Sequence, residues 1–362
     1  MDLIGYLGYL SLIILIINST INLLWLHVNR LRKNEQINNQ LLSILIPARN
    51  EEENIENCLN SIVNQSYKNI EVIIVDDNST DNTYDLINKY SDKLDITIIK
   101  NNIIPVGWVA KNYLCHIMAK KCKGSVLLFL DADTVFLNNF TIEYSLNKIS
   151  SNTDALSLIL HQRLDSIWEK MIIPFRINYL AIFFLPMWMT TNYTAAAQGN
   201  FIMIKKSVYE TIGGHSKFKK EICEDLAVIR FVRKYGYKTL WLDGTNYCET
   251  RMYESLGEIN EGFIKNYYPN FFGSILFIAF FVYLHFIIII SILIFNYYSL
   301  INLILLLYIM FLTNWIFKTS SILSIILFPI GMIYNIVLLI KSTYNYVYKK
   351  RIKWSGREYV ID

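Results

Sequence analysis

The chain has 362 residues, 53% of them hydrophobic and only 18% charged, with a net charge of +4 and a mean hydropathy of +0.31. A soluble domain sits near 45–50% apolar and about 25% charged, so part of this chain is built for a membrane. The small positive charge suits a membrane surface and leaves no ground for a nucleic-acid partner.

Leu3 to Val28 is almost wholly apolar and long enough for a hydrocarbon core of ~30 Å. Asn18, Ser19, Thr20 and Asn22 interrupt it, which is tolerable where they face a neighbouring helix. It has no charged n-region and no small-residue cleavage site, so it reads as an uncleaved anchor. Arg30, Arg32 and Lys33 follow and no basic residue precedes it, which puts residues 30 onward in the cytoplasm.

Between Leu41 and Tyr253 the pattern becomes alternating. Leu42–Ile46, Val72–Val75, Ile96–Ile99 and Val126–Leu130 read as buried strands. Glu51–Asn64, Asp81–Tyr90 and Ala110–Lys121 read as helices between them. Such alternation predicts an α/β fold with a parallel sheet and crossover helices. Ligands of such sheets collect beyond the carboxyl ends of the strands. The polar clusters fall there: Pro47-Ala48-Arg49-Asn50-Glu51, Asp76-Asp77-Asn78-Ser79 and Asp131-Ala132-Asp133. Neither GxGxxG nor GxxxxGK[ST] is present, so a bound nucleotide would depend on carboxylates and a metal.

Asp131 and Asp133 stand one residue apart at a strand tip. Hard oxygen ligands of this kind suit Mg²⁺ or Mn²⁺ on a diphosphate, and a solvated turn is the bland alternative. Asp76 and Asp77 belong either to a plain capped turn or, since they carry one carboxylate more than such a turn needs, to a base or ribose contact. Glu224-Asp225 opens a helical run. These acids either complement the helix dipole or supply a general base for an acceptor hydroxyl. Cys58, Cys115, Cys122, Cys223 and Cys248 lack CxxC spacing and read as reduced thiols.

Met171–Met189, broken by Pro174, Arg176 and Pro186, is either a buried helix or an interfacial hairpin. Arg251-Met252-Tyr253 leads into Tyr253–Tyr268, which has the look of an amphipathic interfacial helix. Three apolar blocks follow: Phe271–Phe295, Leu300–Phe317 and Ile322–Ile340. The tail carries Lys349, Lys350, Arg351, Lys353 and Arg357 and belongs on the cytoplasmic side. Three full C-terminal crossings would leave it outside, so the second or third block is expected to be re-entrant or interfacial.

Taken together, the motifs resemble family 2 glycosyltransferases of the GT-A fold, above all membrane-anchored ones acting on lipids. The matching text is Ile46-Pro47-Ala48-Arg49-Asn50-Glu51-Glu52, Val75-Asp76-Asp77-Asn78-Ser79-Thr80-Asp81, Gly107-Trp108 with Lys111, Leu130-Asp131-Ala132-Asp133, Gly213-Gly214-His215 and Glu224-Asp225. Arg251-Met252-Tyr253 and Trp354-Ser355-Gly356-Arg357-Glu358-Tyr359 look most like the carotenoid-acid glucosyltransferase branch. The resemblance implies a GT-A domain with N- and C-terminal transmembrane helices. It divides the chain into an anchor (1–29), a cytoplasmic catalytic domain (30–270), membrane helices (271–340) and a basic cytoplasmic tail (341–362). It implies donor contacts at Pro47, Arg49, Glu51, Asp76, Asp77, Lys111, Asp131 and Arg251, a divalent cation on Asp131 and Asp133, and Asp225 as base of an inverting displacement. The implied partners are a nucleotide-sugar, UDP-linked by analogy, a lipid acceptor and the bilayer. Asn78 and Ala110 stand where glycines are usual. QxxRW is incomplete, which argues against a processive polysaccharide synthase. A non-catalytic membrane scaffold is the alternative of another class.

Overall fold

The computed structural model describes residues 2–31, 39–183, 197–271, 273–294, 297–319, 322–354 and 356–360. Arg32, Lys33, the Met171–Met189 stretch from residue 184, Phe295, Asn296 and Ser355 lie outside them.

The chain opens with helix α1 (Asp2–Val28), then alternates through β1 (Leu42–Ala48), α2 (Ile55–Val63), β2 (Ile70–Asp76), α3 (Thr83–Asn88), β3 (Ile96–Lys100), α4 (Ala110–Lys121) and β4 (Val126–Leu130). Next come β5 (Thr134–Phe136), α5 (Thr141–Asn152), β6 (Ala155–Ile159), β7 (His161–Gln162) and α6 (Ile167–Phe183). β8 (Phe201–Lys205), α7 (Lys206–Thr211), α8 (Gly214–Lys217), α9 (Glu224–Lys234), β9 (Thr239–Asp243) and β10 (Cys248–Thr250) complete the α/β part. The remainder is α10 (Leu256–Asn270), α11 (Ile275–Leu293), α12 (Tyr297–Phe317), α13 (Ile322–Ile326), α14 (Phe328–Val347) and a hairpin of β11 (Arg351–Trp354) and β12 (Arg357–Val360).

Two compact units result: residues 29–162 with 191–252, and residues 1–28 with 163–190 and 253–362. In the first, seven strands line up as β3-β2-β1-β4-β8-β6-β9. The expected parallel sheet is corrected to a mixed one, because β8 runs antiparallel to both β4 and β6. Apolar runs encode burial but not direction, and β8 is reached through the α6 excursion instead of a crossover helix. Alternate residues of each central strand enter two different cores. Ile44, Ile46, Leu128 and Leu130 meet Leu59, Ile62 and Leu146, while Leu45, Leu127 and Phe129 meet Leu114, Met118 and Ile229. Burial on both faces is why these strands are continuous apolar runs and not alternating ones. All five cysteines are buried.

At the amino end of the sheet a buried carboxylate fastens two strands to the loop before β4. Glu71 Oε1 accepts from Ser43 Oγ (2.6 Å), Lys123 N (2.6 Å) and Gly124 N (3.0 Å). Burial opposes its ionisation, but these donors outweigh burial and hold the carboxyl below its usual range. A carboxyl depressed in the fold stabilises it fully above the unfolded pKa and loses that contribution as pH falls through the folded one. Glu71→Gln is therefore expected to lower the melting temperature in detergent at neutral pH, and to lessen the loss of melting temperature below about pH 4.5.

In the second unit α1, α11 and α12 pack around Leu12, Leu15, Ile288 and Ile309. Three helical stretches, Leu3–Val28, Ile275–Leu293 and Tyr297–Asn314, are long and apolar enough to cross a membrane. Several polar groups within them are satisfied internally, as hydrocarbon requires. Ser19 and Thr20 donate to the carbonyls of Leu15 and Ile16. Asn302 Nδ2 donates to Gly5 O and Ser291 Oγ, joining all three helices. The third expected block, Ile322–Ile340, is not one helix. It breaks at Leu327, and Pro329 sits in the first turn of α14, where its missing N–H costs no helical bond. Of the Met171–Met189 stretch, Ile172, Ile173 and Phe175 are buried on α6, which favours the buried helix over the interfacial hairpin.

Candidate active site

β1 lies between β2 and β4, so the switch in strand order falls between the loops that leave these three strands. The register pairs Ala48 with Asp76, which puts the first two loops side by side. Asp77 N donates to Ala48 O (2.9 Å), Asn50 N to Ser79 Oγ (3.0 Å), Thr80 N to Asn50 Oδ1 (2.8 Å) and Glu51 N to Thr83 Oγ1 (2.7 Å). With Glu52 N donating to Asp81 Oδ2 as well, the start of this segment is tied to the neighbouring loop, and α2 begins at Ile55, later than the sequence pattern predicts. Asp76 and Asp77 are buried, and Asn101 Nδ2 donates to Asp77 Oδ1 at 3.1 Å. Arg49 Nη1 is buried and has no hydrogen-bond partner among the described residues. A desolvated guanidinium N–H of this kind is the sort of orphan that a ligand acceptor satisfies.

Asn50 and Asn78 have φ of +54° and +57°. That left-handed region admits asparagine far more readily than most residues, which accounts for Asn78 where a glycine is usual. Asn78→Val is expected to destabilise the fold by about 1–2 kcal/mol, and Asn78→Gly to leave the melting temperature nearly unchanged.

The second group of residues surrounds Lys111, from the first turn of α4. Its Nζ lies 2.7 Å from Asp131 Oδ1, 3.0 Å from Asp131 Oδ2 and 3.0 Å from Glu224 Oε1. Burial works against the lysine's charge, but Asp131 and Glu224 outweigh it and raise its pKa. Asp133 accepts from Thr250 Oγ1 at 2.9 Å and from Asn200 Nδ2 at 3.4 Å. Burial and then Asp131 push its carboxyl above the usual range. Glu51 is pushed up to about 7, chiefly by burial. The Asn54 amide opposes this, while Asp133, Asp131 and Asp81 add to it. The loops of β1 and β4 therefore share one field of negative charge.

Gly199 supplies the close approach that lets α9 join this group. A Cβ there would stand 3.1 Å from Glu224 Oε1, 3.3 Å from Lys111 Nζ and 3.6 Å from Asp225 Cβ. Asp225 lies in the first turn of α9, its Oδ1 accepting from Leu226 N at 2.8 Å. Glu224 was expected from sequence as a helix-dipole or general-base acid and not as a partner of Lys111, and Gly199, Asn200 and Thr250 were not among the expected site residues. Only the Gly-Asn pair ahead of a strand, and Thr250 just before Arg251, hinted at the last three. Arg251 is half-buried, directly after Thr250. His215 of the Gly213-Gly214-His215 motif lies in the core against Phe129, bonded to Tyr209. Burial drives its pKa down to about 3, so it stays neutral.

Among the described residues no three His, Cys, Asp or Glu side chains are grouped to hold a metal unaided. Asp131 and Asp133 nevertheless fit a hard divalent ion. Mg²⁺ is ordinarily held by one or two carboxylates together with substrate phosphates, and these two side chains repel each other.

A model of the family described as Glycosyl transferase family 2 matches residues 43–213. Those residues are a family 2 glycosyl transferase domain. The family 2 domain contains the loops after β1, β2 and β4, together with Lys111, Gly199 and Asn200. The chain is 24% identical over 234 residues to a 4,4'-diaponeurosporenoate glycosyltransferase of Staphylococcus haemolyticus, covering 62% of this chain and 60% of that one. It is 45% identical over 94 residues to the UDP-Glc:alpha-D-GlcNAc-diphosphoundecaprenol beta-1,3-glucosyltransferase WfaP of Escherichia coli, covering 26% of this chain and 36% of that one. It thus spans less than two thirds of either relative. Among solved structures, the mannosyltransferase PcManGT of Pyrobaculum calidifontis, in complex with GDP-Man and Mn²⁺, superposes with a TM-score of 0.54. That likeness has 14% identity and covers 95% of this chain and 99% of that one, and it concerns the fold alone.

Proposed function

We propose that this chain is an inverting glycosyltransferase that moves a hexose from a nucleotide-diphosphosugar to a lipid acceptor at a membrane. The observation that carries the reading is the double ion pair of Lys111. One amine holds the carboxylate of the Asp131-Ala132-Asp133 strand tip and that of Glu224, next to Asp225. A donor's diphosphate and its sugar need these two elements side by side.

In this reading Pro47, Arg49, Glu51, Asp76 and Asp77 hold the nucleoside, with the orphaned Arg49 N–H as one donor. Asp131 and Asp133 hold a divalent cation, which neutralises charge on the departing diphosphate when bound. Lys111 adds a positive charge beside that group, and Arg251 a second one after Thr250. Asp225 takes the proton of the acceptor hydroxyl as its oxygen bonds to the anomeric carbon and the bond to the diphosphate oxygen breaks. Single in-line displacement inverts the anomeric centre.

UDP-glucose is the favoured donor, since the WfaP relative is named for it. The relatives' named acceptors, a carotenoid acid and an alpha-D-GlcNAc-diphosphoundecaprenol, share a long isoprenoid chain that carries an anionic group. The acceptor class assigned here is a long isoprenoid lipid that also bears a free hydroxyl, since the base at Asp225 needs a proton to remove. The family 2 domain faces the cytoplasm in this reading, because Arg30 and the basic tail flank the membrane helices on that side.

Membranes containing the protein, given radiolabelled UDP-glucose and Mn²⁺, are expected to carry label into the organic-extractable lipid fraction. Label in insoluble polymer, or none in lipid with any UDP- or GDP-hexose, would overturn the proposal.

A further inference from the structure

The last long helix poses a question the transfer reaction does not answer. α14 carries Ile330, Ile333, Val337, Ile340, Tyr344 and Val347 exposed at intervals of three and four. On a helix these form one continuous stripe. Yet α14 is not among the stretches apolar enough to cross a membrane.

Its opposite face explains where it can lie. Tyr334 Oη donates to Asn260 Oδ1 (2.6 Å), Ser342 Oγ to Ile264 O (2.6 Å) and Tyr346 Oη to Lys265 O (2.8 Å), all on α10. Tyr267 also hydrogen-bonds Asn335, whose amide donates to Ile172 O of α6. Gly331 permits close contact with α6, since a Cβ there would overlap Met171 O. So α14 is zipped along α10 for more than three turns, and α10 carries Glu258, Glu261 and Lys265. Drawing α14 into the hydrocarbon would bring these charges with it, which the bilayer interior opposes. Leaving it in water would expose the whole apolar stripe. Only the boundary between headgroups and acyl chains suits both faces.

Charge selects the lipid. Directly after α14, Lys349, Lys350, Arg351 and Lys353 are exposed. The hairpin of β11 and β12 is tied to α10 by Lys265 Nζ, 3.9 Å over the Trp354 ring, and Tyr253 meets Trp354 edge-on. Tyr344 and Tyr348 pack together at the same end, the residue type enriched at membrane interfaces. Cations placed this way are attracted to an anionic leaflet within a Debye length of its surface.

We propose that α14 lies along the surface of one leaflet, its apolar stripe in the headgroup–acyl boundary and the 349–353 cations on anionic phospholipid headgroups. The hairpin of β11 and β12 then serves as the clasp that holds this basic run beside α10. Only α11 and α12 cross after the family 2 domain, which returns the tail to the domain's side. The proposal is independent of the transfer chemistry.

The test uses the full chain in vesicles of phosphatidylcholine with phosphatidylglycerol. Nitroxide labels are placed singly on cysteines introduced at Ile330, Ile333, Val337, Ile340 and Tyr344, with depth read from oxygen and nickel-chelate accessibility. All five are expected at nearly one depth, about 5–10 Å below the headgroups. A depth gradient of about 20 Å between positions 330 and 344, from 1.5 Å per residue, would overturn the proposal, as would full nickel accessibility at every position. The position-344 label is expected to move outward when Lys349, Lys350 and Lys353 are changed to Gln, or when phosphatidylglycerol is omitted. Indifference to both would remove the anionic headgroups from it.

Discussion

Asp225→Asn is expected to lower transfer of glucose to lipid by about 10²–10⁴-fold, the range for loss of a general base, with donor affinity nearly unchanged. Asparagine keeps the shape and can still accept from Leu226 N, so the first turn of α9 should persist. What is lost is the proton acceptor, at a helix N-terminus where the dipole favours a carboxylate. Initial rates with labelled UDP-glucose measure the first quantity and calorimetric titration with UDP the second. A rate within about threefold of wild type would take Asp225 out of the chemistry.

Lys111→Met is expected to damage both stability and transfer. Breaking a buried ion pair costs about 3–5 kcal/mol, because a charge is left uncompensated. Here two carboxylates, Asp131 and Glu224, lose one cation. The lysine side chain is 28% exposed, so water recovers part of the loss and about 2–3 kcal/mol is expected. The melting temperature in detergent should fall by several degrees, and UDP-glucose binding by more than about tenfold. Lys111→Arg should recover part of the stability but not the binding, since the backbone of Gly199 leaves a compact amine little room to become a planar fork. Full binding by Lys111→Met would separate the lysine from the donor.

Much of this was legible before coordinates. Strands such as Val126–Leu130 are uninterrupted apolar runs because both faces are buried, and their carboxyl ends carry the acidic loops. The left-handed turn at Asn78 was not legible, since one residue type there could mean a departure from the family or a substitute for glycine. Its φ decides for the substitute. The role of Glu224 was hidden because its partner, Lys111, is more than a hundred residues away, and pairing between two helices on one face of the sheet leaves no local spacing. Gly199 is visible only as a contact, where its lack of a side chain lets α9 approach Lys111. The Ile322–Ile340 block misled because hydrophobicity alone cannot tell a helix that crosses a bilayer from one with an apolar stripe and a polar seam. The seam, Asn335 and Ser342 facing α10 and α6, appears once the neighbours are known.

The claim on which the site depends is that the acidic strand tip and the α9 acids act as one unit through Lys111. A double-mutant cycle tests it: transfer rates for Lys111→Met, Glu224→Gln and the combined variant. Coupled residues should give an interaction of more than about 1 kcal/mol, the double variant being little slower than the worse single one. Effects that simply multiply, within about 0.5 kcal/mol, would contradict it.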